Sequence, residues 1–444
     1  DKRNKKYYNL ITKKCAKARK IGGRMNNISI NRDFYLNKLI NKRNNRMIKI
    51  VTGVRRCGKS YLLDPIFKNY LIDSGVEKSH IIKLELDSIE NIDYRDPKKL
   101  YNYVMEQVKD DETYYIILDE IQFVSNFEPV LNSFLRKENL DVYVTGSNSK
   151  FLSSDIITEF RGRGDEIRVH PLTFKEYLSV FEGTKEEAWN KYITYGGMPY
   201  TLMLETAEEK SKYLKDLFEN TYLKDILERN NIKRDDVLDS LVDMVASSVG
   251  SLTNPKKLAD TFSSNGFNDV TNKTVSSYIN YLLESFLINK AERYDIKGKK
   301  YISTPSKYYF VDVGLRNARL NFRQQEYDHL MENVIYNELL YRGYNVDVGV
   351  VEVFEHNKDN VTIRKQLEID FVCNQGSKRY YIQSAYSIDN KEKEKQEMRS
   401  LINVNDFFKK IIIVKDDIEP WHNEDGVLLI GIKEFLLNEN SLDI

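Results

Sequence analysis

The sequence predicts an α/β chain in three parts: a parallel-sheet core, a helical and winged-helix-like middle, and a second α/β unit. Three observations carry this reading. Short apolar runs alternate with helical stretches from residue 47 to about 170, helix-periodic residues dominate the next stretch, and β-like runs return after about 345. Runs such as YYIIL are apolar without alternation, as strands buried on both faces require. At 444 residues the chain exceeds one ordinary core, and the boundaries expected are 25–180, 181–325 and 326–444.

Residues 1–24 stand apart as a basic tail, with ten Lys/Arg against one acid. The net charge of +1 therefore leaves the remainder acidic, which argues against strong non-specific DNA binding by the body of the protein. A nucleic-acid arm and a transit-like peptide are two readings of the tail. The third, and the one expected, sets the start at Met25, because Gly22-Gly23 is encodable as a purine-rich ribosome-binding sequence. No apolar run approaches the roughly 18 residues of a membrane span. Three scattered cysteines and five dispersed histidines offer neither a disulfide framework nor zinc spacing, which suits a reducing cytoplasm.

Taken in order, MIKIVTG (47–53) is a strand, followed by a glycine-bearing turn and a helix from about Lys59. HIIKLEL (80–86), YYIILDE (114–120), VYVTGS (142–147) and EIRVH (166–170) are four more strands. Residues 185–245 read as helices interrupted at Gly196-Gly197 and Pro199. NPKKLADTF and TNKTVSSYINYLLESFLI form a helix–turn–helix pattern, with KKYISTPSKYYFVD β-like after it. The amphipathic helix YDHLMENVIYNELLYRGY then leads into VDVGVVEVFE, IRKQLEIDFVC, RYYIQSAYS and KKIIIVK as strands.

The first turn reads GVRRCGKS, matching G-x-x-x-x-G-K-[ST] between a strand and a helix. Backbone N–H groups of Gly53, Val54, Arg55, Arg56, Cys57 and Gly58, continuing to Tyr61, are expected to wrap the phosphates of ATP. Lys59 is expected on the β/γ-phosphates and Ser60 on Mg²⁺. Asp119 and Glu120 close the strand YYIILDE. An acid there suits the Mg²⁺ shell, and a second acid beside it suits a general base for the attacking water. Thr145, Ser147 and Asn148 end the next strand, where a polar group senses the γ-phosphate or simply makes a polar turn. Arg161 and Arg163 in FRGRG are either a basic surface turn or arginine fingers given to a neighbour's nucleotide in a homo-oligomer.

GVRRCGKS, YYIILDEIQ, VYVTGSNSKFLSSDI, FRGRGDEI and HPLTFKEYL, with YGGMPY, YYFVDVGLRNA and LEIDFVC later, resemble prokaryotic AAA-type ATPases that carry a DUF4143 domain. The resemblance runs from about residue 25 to the C-terminus. It implies a P-loop core, a winged-helix-like middle and a C-terminal domain similar to restriction-endonuclease-like folds. In such folds a helix acid, a strand Asp and an acid-x-Lys hold Mg²⁺ and activate water. Here Glu338 or Glu332 and Asp370 stand at the first two places, whereas Gln383 takes the acid's place and Ala385 the lysine's. A domain that keeps the fold without the hydrolysis is expected. In TNKTVSSYINYLLESFL, Val275, Ile279, Leu282, Leu283 and Phe286 share a face, expected to pack against another domain rather than enter a DNA groove. The function expected is Mg²⁺-dependent ATP hydrolysis driving a conformational cycle. An ATP-switched DNA-binding or DNA-processing protein and a slow nucleotide sensor are its rivals.

Overall fold

The computed structural model describes residues 29–146, 162–356, 361–388 and 391–444. The basic tail, Ser147, Asn148 and Arg161 lie outside them. The N-terminal sheet consists of β1 (Ile48–Thr52), β2 (Ile81–Glu85), β3 (Tyr114–Asp119), β4 (Leu140–Thr145) and β5 (Gly164–Arg168). Its strand order is β2-β3-β4-β1-β5, and every pairing is parallel. All residues of β1, β3 and β4 are buried. The period of two divides YYIIL between two apolar layers: Tyr114, Ile116 and Leu118 pack with Ile48 and Ile50, while Tyr115 and Ile117 pack with Val51 on the other face. Lys49 breaks the apolar run of β1, and it is fully buried against Asp141 of β4.

Helices fill residues 174–284 almost continuously. Helices Pro255–Ser264 and Asn272–Glu284 follow the predicted pair closely. Val275, Ile279 and Leu282 enter the core shared with the P-loop domain, and Phe286 carries the Arg168 guanidinium over its ring at 4.8 Å.

The second sheet has eight strands in the order β12-β13-β11-β10-β9-β8-β6-β7. These are β6 (Ile288–Asp295), β7 (Lys300–Phe310), β8 (Asn345–His356), β9 (Thr362–Gln375), β10 (Lys378–Ala385), β11 (Lys409–Val414), β12 (Trp421–His422) and β13 (Leu428–Gly431). The β6–β7 hairpin, which the sequence groups with the middle region, joins this sheet through the parallel β6–β8 pair. Helix Tyr327–Tyr341 covers one face of the sheet and helix Lys391–Ile402 the other.

Two motifs meet where the middle region docks. Asp312 accepts from Gly197 N at 2.6 Å and from Leu315 N at 3.0 Å, capping helix Val313–Arg319. A side chain at Gly197 would strike Leu172 O, and one at Gly314 would strike Tyr195 O. YGGMPY and FVDVGLRNA are thus two halves of one close backbone contact. Among the described residues, no helix is long and apolar enough to cross a membrane.

Candidate functional site

The sheet order decides the site. β4 lies between β1 and β3, so the P-loop after β1 and the acids after β3 open into one crevice at the strands' C-terminal ends. Gly53 has φ +135°, and a Cβ there would lie 2.1 Å from Val169 O, so only glycine fits. Gly58 (φ +101°) and Arg56 (φ 61°) complete the loop's left-handed turns. Lys59, 4% exposed, donates from Nζ to the carbonyls of Gly53 (3.0 Å) and Val54 (3.1 Å), which holds its ammonium inside the loop. Cys57 is buried, its thiol on Val169 O. Tyr61 is exposed on the following helical turn and donates to Ser29.

Ser60 Oγ donates to Asp119 Oδ1 at 3.1 Å, and Thr145 Oγ1 donates to the same oxygen. Thr145 also accepts from Glu120 N at 2.8 Å. One threonine at the end of β4 therefore sets both acids. Burial holds the Asp119 carboxyl above its ordinary range; the Thr145 and Ser60 hydrogen bonds pull it back, and the charges of Glu120 and Asp87 push it further up. A buried carboxylate beside two hydroxyls is an oxygen donor set that suits a hard cation such as Mg²⁺. Glu120 has φ 53° and ψ 52°, an unfavourable conformation for a side chain with a Cβ, of the kind concentrated at functional sites. Its carboxylate accepts from Gln122 Nε2.

Arg163 is exposed just before β5, and its carbonyl accepts from Ile48 N. That is the N-terminal edge of the sheet, opposite the P-loop and about 16 Å away along β1. It does not reach the Gly53–Ser60 loop of its own chain.

Sequence reading missed several partners of the loop. Arg32, 4% exposed, donates to Cys57 O (3.2 Å) and His170 O (2.7 Å) and pairs with Glu176 at 3.0 Å. Nothing in the sequence distinguishes it from a surface arginine. Tyr222 donates to Arg55 O at 2.8 Å, and Asp225 pairs with Arg55 at 3.3 Å. Beside the loop, Ile30, Arg56, Tyr61, Pro199, Tyr200 and Met203 line an apolar cleft of ≈ 360 Å³.

In the C-terminal sheet, Glu332 and Asp370 converge, whereas Glu338 pairs instead with Arg342 at 2.8 Å. The sequence reading placed no lysine here, and this is corrected: Lys307 of β7 sits among the acids, 2.9 Å from Glu332, 2.8 Å from Glu368 and 3.1 Å from Asp370. Asp370 also accepts from Ser384 N at 2.9 Å, and Gln383 bridges Asp370 N and Glu397 at 3.4 Å each. Ala385 is buried. The long-range β6–β7 pairing brings Lys307 in, which local pattern does not encode.

Residues 45–178 match the AAA domain family, and residues 186–326 match a domain of unknown function, DUF8612. The second match names DUF8612 and not the DUF4143 domain of the sequence resemblance. An uncharacterised protein of Haemophilus influenzae is 33% identical over 419 residues, covering 93% of this chain and 100% of its own. An uncharacterised protein of Methanocaldococcus jannaschii is 27% identical, covering 83% of this chain and 80% of its own. Among solved structures, the Aeropyrum pernix ORC1 protein in complex with DNA has a TM-score of 0.31 at 13% identity, covering 66% of this chain and 93% of that one. VC1899 from Vibrio cholerae has a TM-score of 0.19 at 12% identity, covering 82% and 97%. The chain belongs to the family of the Haemophilus influenzae protein, with an AAA-type ATPase domain at 45–178 and a DUF8612 region after it.

Proposed function

We propose that the protein is a Mg²⁺-dependent ATPase whose nucleotide cycle moves the helical region against the P-loop domain. The observation that carries the reading is the convergence of Lys59, Ser60, Asp119 and Thr145 in one crevice. Lys59 and the loop amides hold the β/γ-phosphates, and the apolar cleft beside the loop takes the base against Tyr61 and Tyr200. Ser60 and Asp119 would hold Mg²⁺, which supplies positive charge to the phosphate oxygens. Glu120 accepts the proton of the attacking water, and Thr145 keeps its backbone in place. Asn148 and Arg161 lie outside the described residues, and their γ-phosphate and finger roles stay part of this proposal. Arg163 would act on a neighbour's nucleotide in a homo-oligomer.

The C-terminal cluster is proposed as an ionic core without hydrolytic activity, because Lys307 already supplies the cation its acids need. The test is steady-state phosphate release with Mg²⁺, comparing the wild type with Lys59→Ala. Absence of turnover and of nucleotide binding in the wild type would overturn the reading. Salt-dependent DNA binding, or Mg²⁺- or Mn²⁺-dependent cleavage lost in Asp370→Ala, would favour the DNA-processing alternative.

A further inference from the structure

One carboxylate at the rim of the P-loop holds two guanidinium groups. Asp225 pairs through one oxygen with Arg55 of the loop at 3.3 Å and through the other with Arg229 at 2.7 Å. Asp225 and Arg229 lie on helix Lys224–Asn230, which continues the π-helical turn Phe218–Leu223. Interruptions of this kind are frequent at functional sites. Tyr222 of that turn, 3% exposed, bonds the Arg55 carbonyl, so the helical region grips the loop by backbone and side chain at once. Arg229 also feels the charge of Glu120, while burial pulls its pKa below the ordinary arginine value.

We propose that Asp225 is a latch that senses the terminal phosphate of a bound nucleoside triphosphate. The proposal rests on the nucleotide reading above. A guanidinium pairs with phosphate as readily as with carboxylate, in the same forked geometry, and a triphosphate carries more charge than Asp225. With triphosphate in the loop, Arg55 and Arg229 turn to the terminal phosphate. Asp225 then loses both partners, and a half-buried carboxylate without a partner is driven towards water. Helix Lys224–Asn230 loses its ionic tie to the loop. Ile226 of this helix packs in the same core as Leu238, Leu241 and Ile279, so the displacement reaches the middle region. A diphosphate lacks the terminal group and leaves the latch closed.

The experiment is amide hydrogen exchange of the full chain, read over residues 218–230, without nucleotide, with Mg²⁺·ADP, and with Mg²⁺ and the non-hydrolysable imido analogue of ATP. Fluorescent-nucleotide titration runs alongside. The analogue should raise exchange over 218–230 roughly tenfold above the ADP state. Asp225→Asn should exchange fast in all three conditions and bind the analogue several-fold more tightly than wild type, with ADP affinity unchanged. Arg55→Gln cuts the tie from the other side and should show the same nucleotide-independent exchange, which separates release of the latch from misfolding of one variant. Wild-type protein that binds the analogue without any change over 218–230 sinks the latch alone. Retention of the exchange step in Asp225→Asn does the same. Wild-type protein that binds neither nucleotide overturns the nucleotide reading, and the latch with it.

Discussion

At the scale of single residues, the crevice is assembled from side chains whose roles separate cleanly by substitution. Glu120→Gln keeps the shape and removes the proposed base, so ATP should remain bound while turnover falls by roughly 10²–10⁴-fold. Unchanged phosphate release in that variant would remove Glu120 from the base role. Gly53→Ala is expected to be more damaging than its size suggests. The added methyl meets Val169 O at 2.1 Å in a conformation that L residues rarely adopt. Loss of nucleotide binding, with a lowered midpoint of thermal unfolding, is the expected result.

At the scale of elements, a buried lysine and a buried aspartate tie distant segments together and give opposite tests. Lys307 joins β7 to helix Tyr327–Tyr341 through Glu332 and to β9 through Glu368 and Asp370. Lys307→Met leaves these acids facing one another without a cation, at a cost of about 3–5 kcal/mol. Urea unfolding at neutral pH measures it, and part of the loss should return as the acids protonate on acidification. Asp312 behaves differently. Burial pushes its carboxyl up to about 6, against the amide donors of Gly197, Leu315 and Gly314. The folded protein therefore binds this proton more tightly than the unfolded chain does. Its contribution is most favourable below pH 4 and is lost as the pH rises to about 6, a change of about 3 kcal/mol. Asp312→Asn should flatten stability against pH across that window, and an unaltered slope would show that the group titrates normally.

At the scale of the whole molecule, Arg163 is the residue that asks for a second copy of the chain. It is exposed at the sheet edge opposite the P-loop of its own chain. If it completes a neighbour's site, mixing Arg163→Ala with Lys59→Ala should restore part of the lost activity, because one mixed interface pairs an intact P-loop with an intact finger. Light scattering establishes the mixed oligomer. A mixed oligomer without recovery would assign Arg163 to the surface of the fold.

By itself the sequence determined most of what rests on local periodicity and on short contiguous spacing. The five strands of the first sheet, the helix pair at 255–284 and the strands β8 to β11 all lie within a few residues of their predicted places, because apolar patterning acts over four to fourteen neighbours. The glycine-bearing loop Gly53–Ser60 and the Asp119-Glu120 pair were legible for the same reason, since each is a run of consecutive residues. Only the tertiary structure decided what depends on which strands become neighbours. Inserting β4 between β1 and β3 made Thr145 the shared partner of the Asp119 carboxylate and the Glu120 backbone N–H. Pairing β6 with β8 carried Lys307 into the acids of the second sheet and joined the hairpin of the middle region to that sheet. Folding the helical region onto the loop brought Asp225 to Arg55 across 170 positions of chain. Contacts of that range depend on how the whole chain packs, and no window of sequence contains both partners.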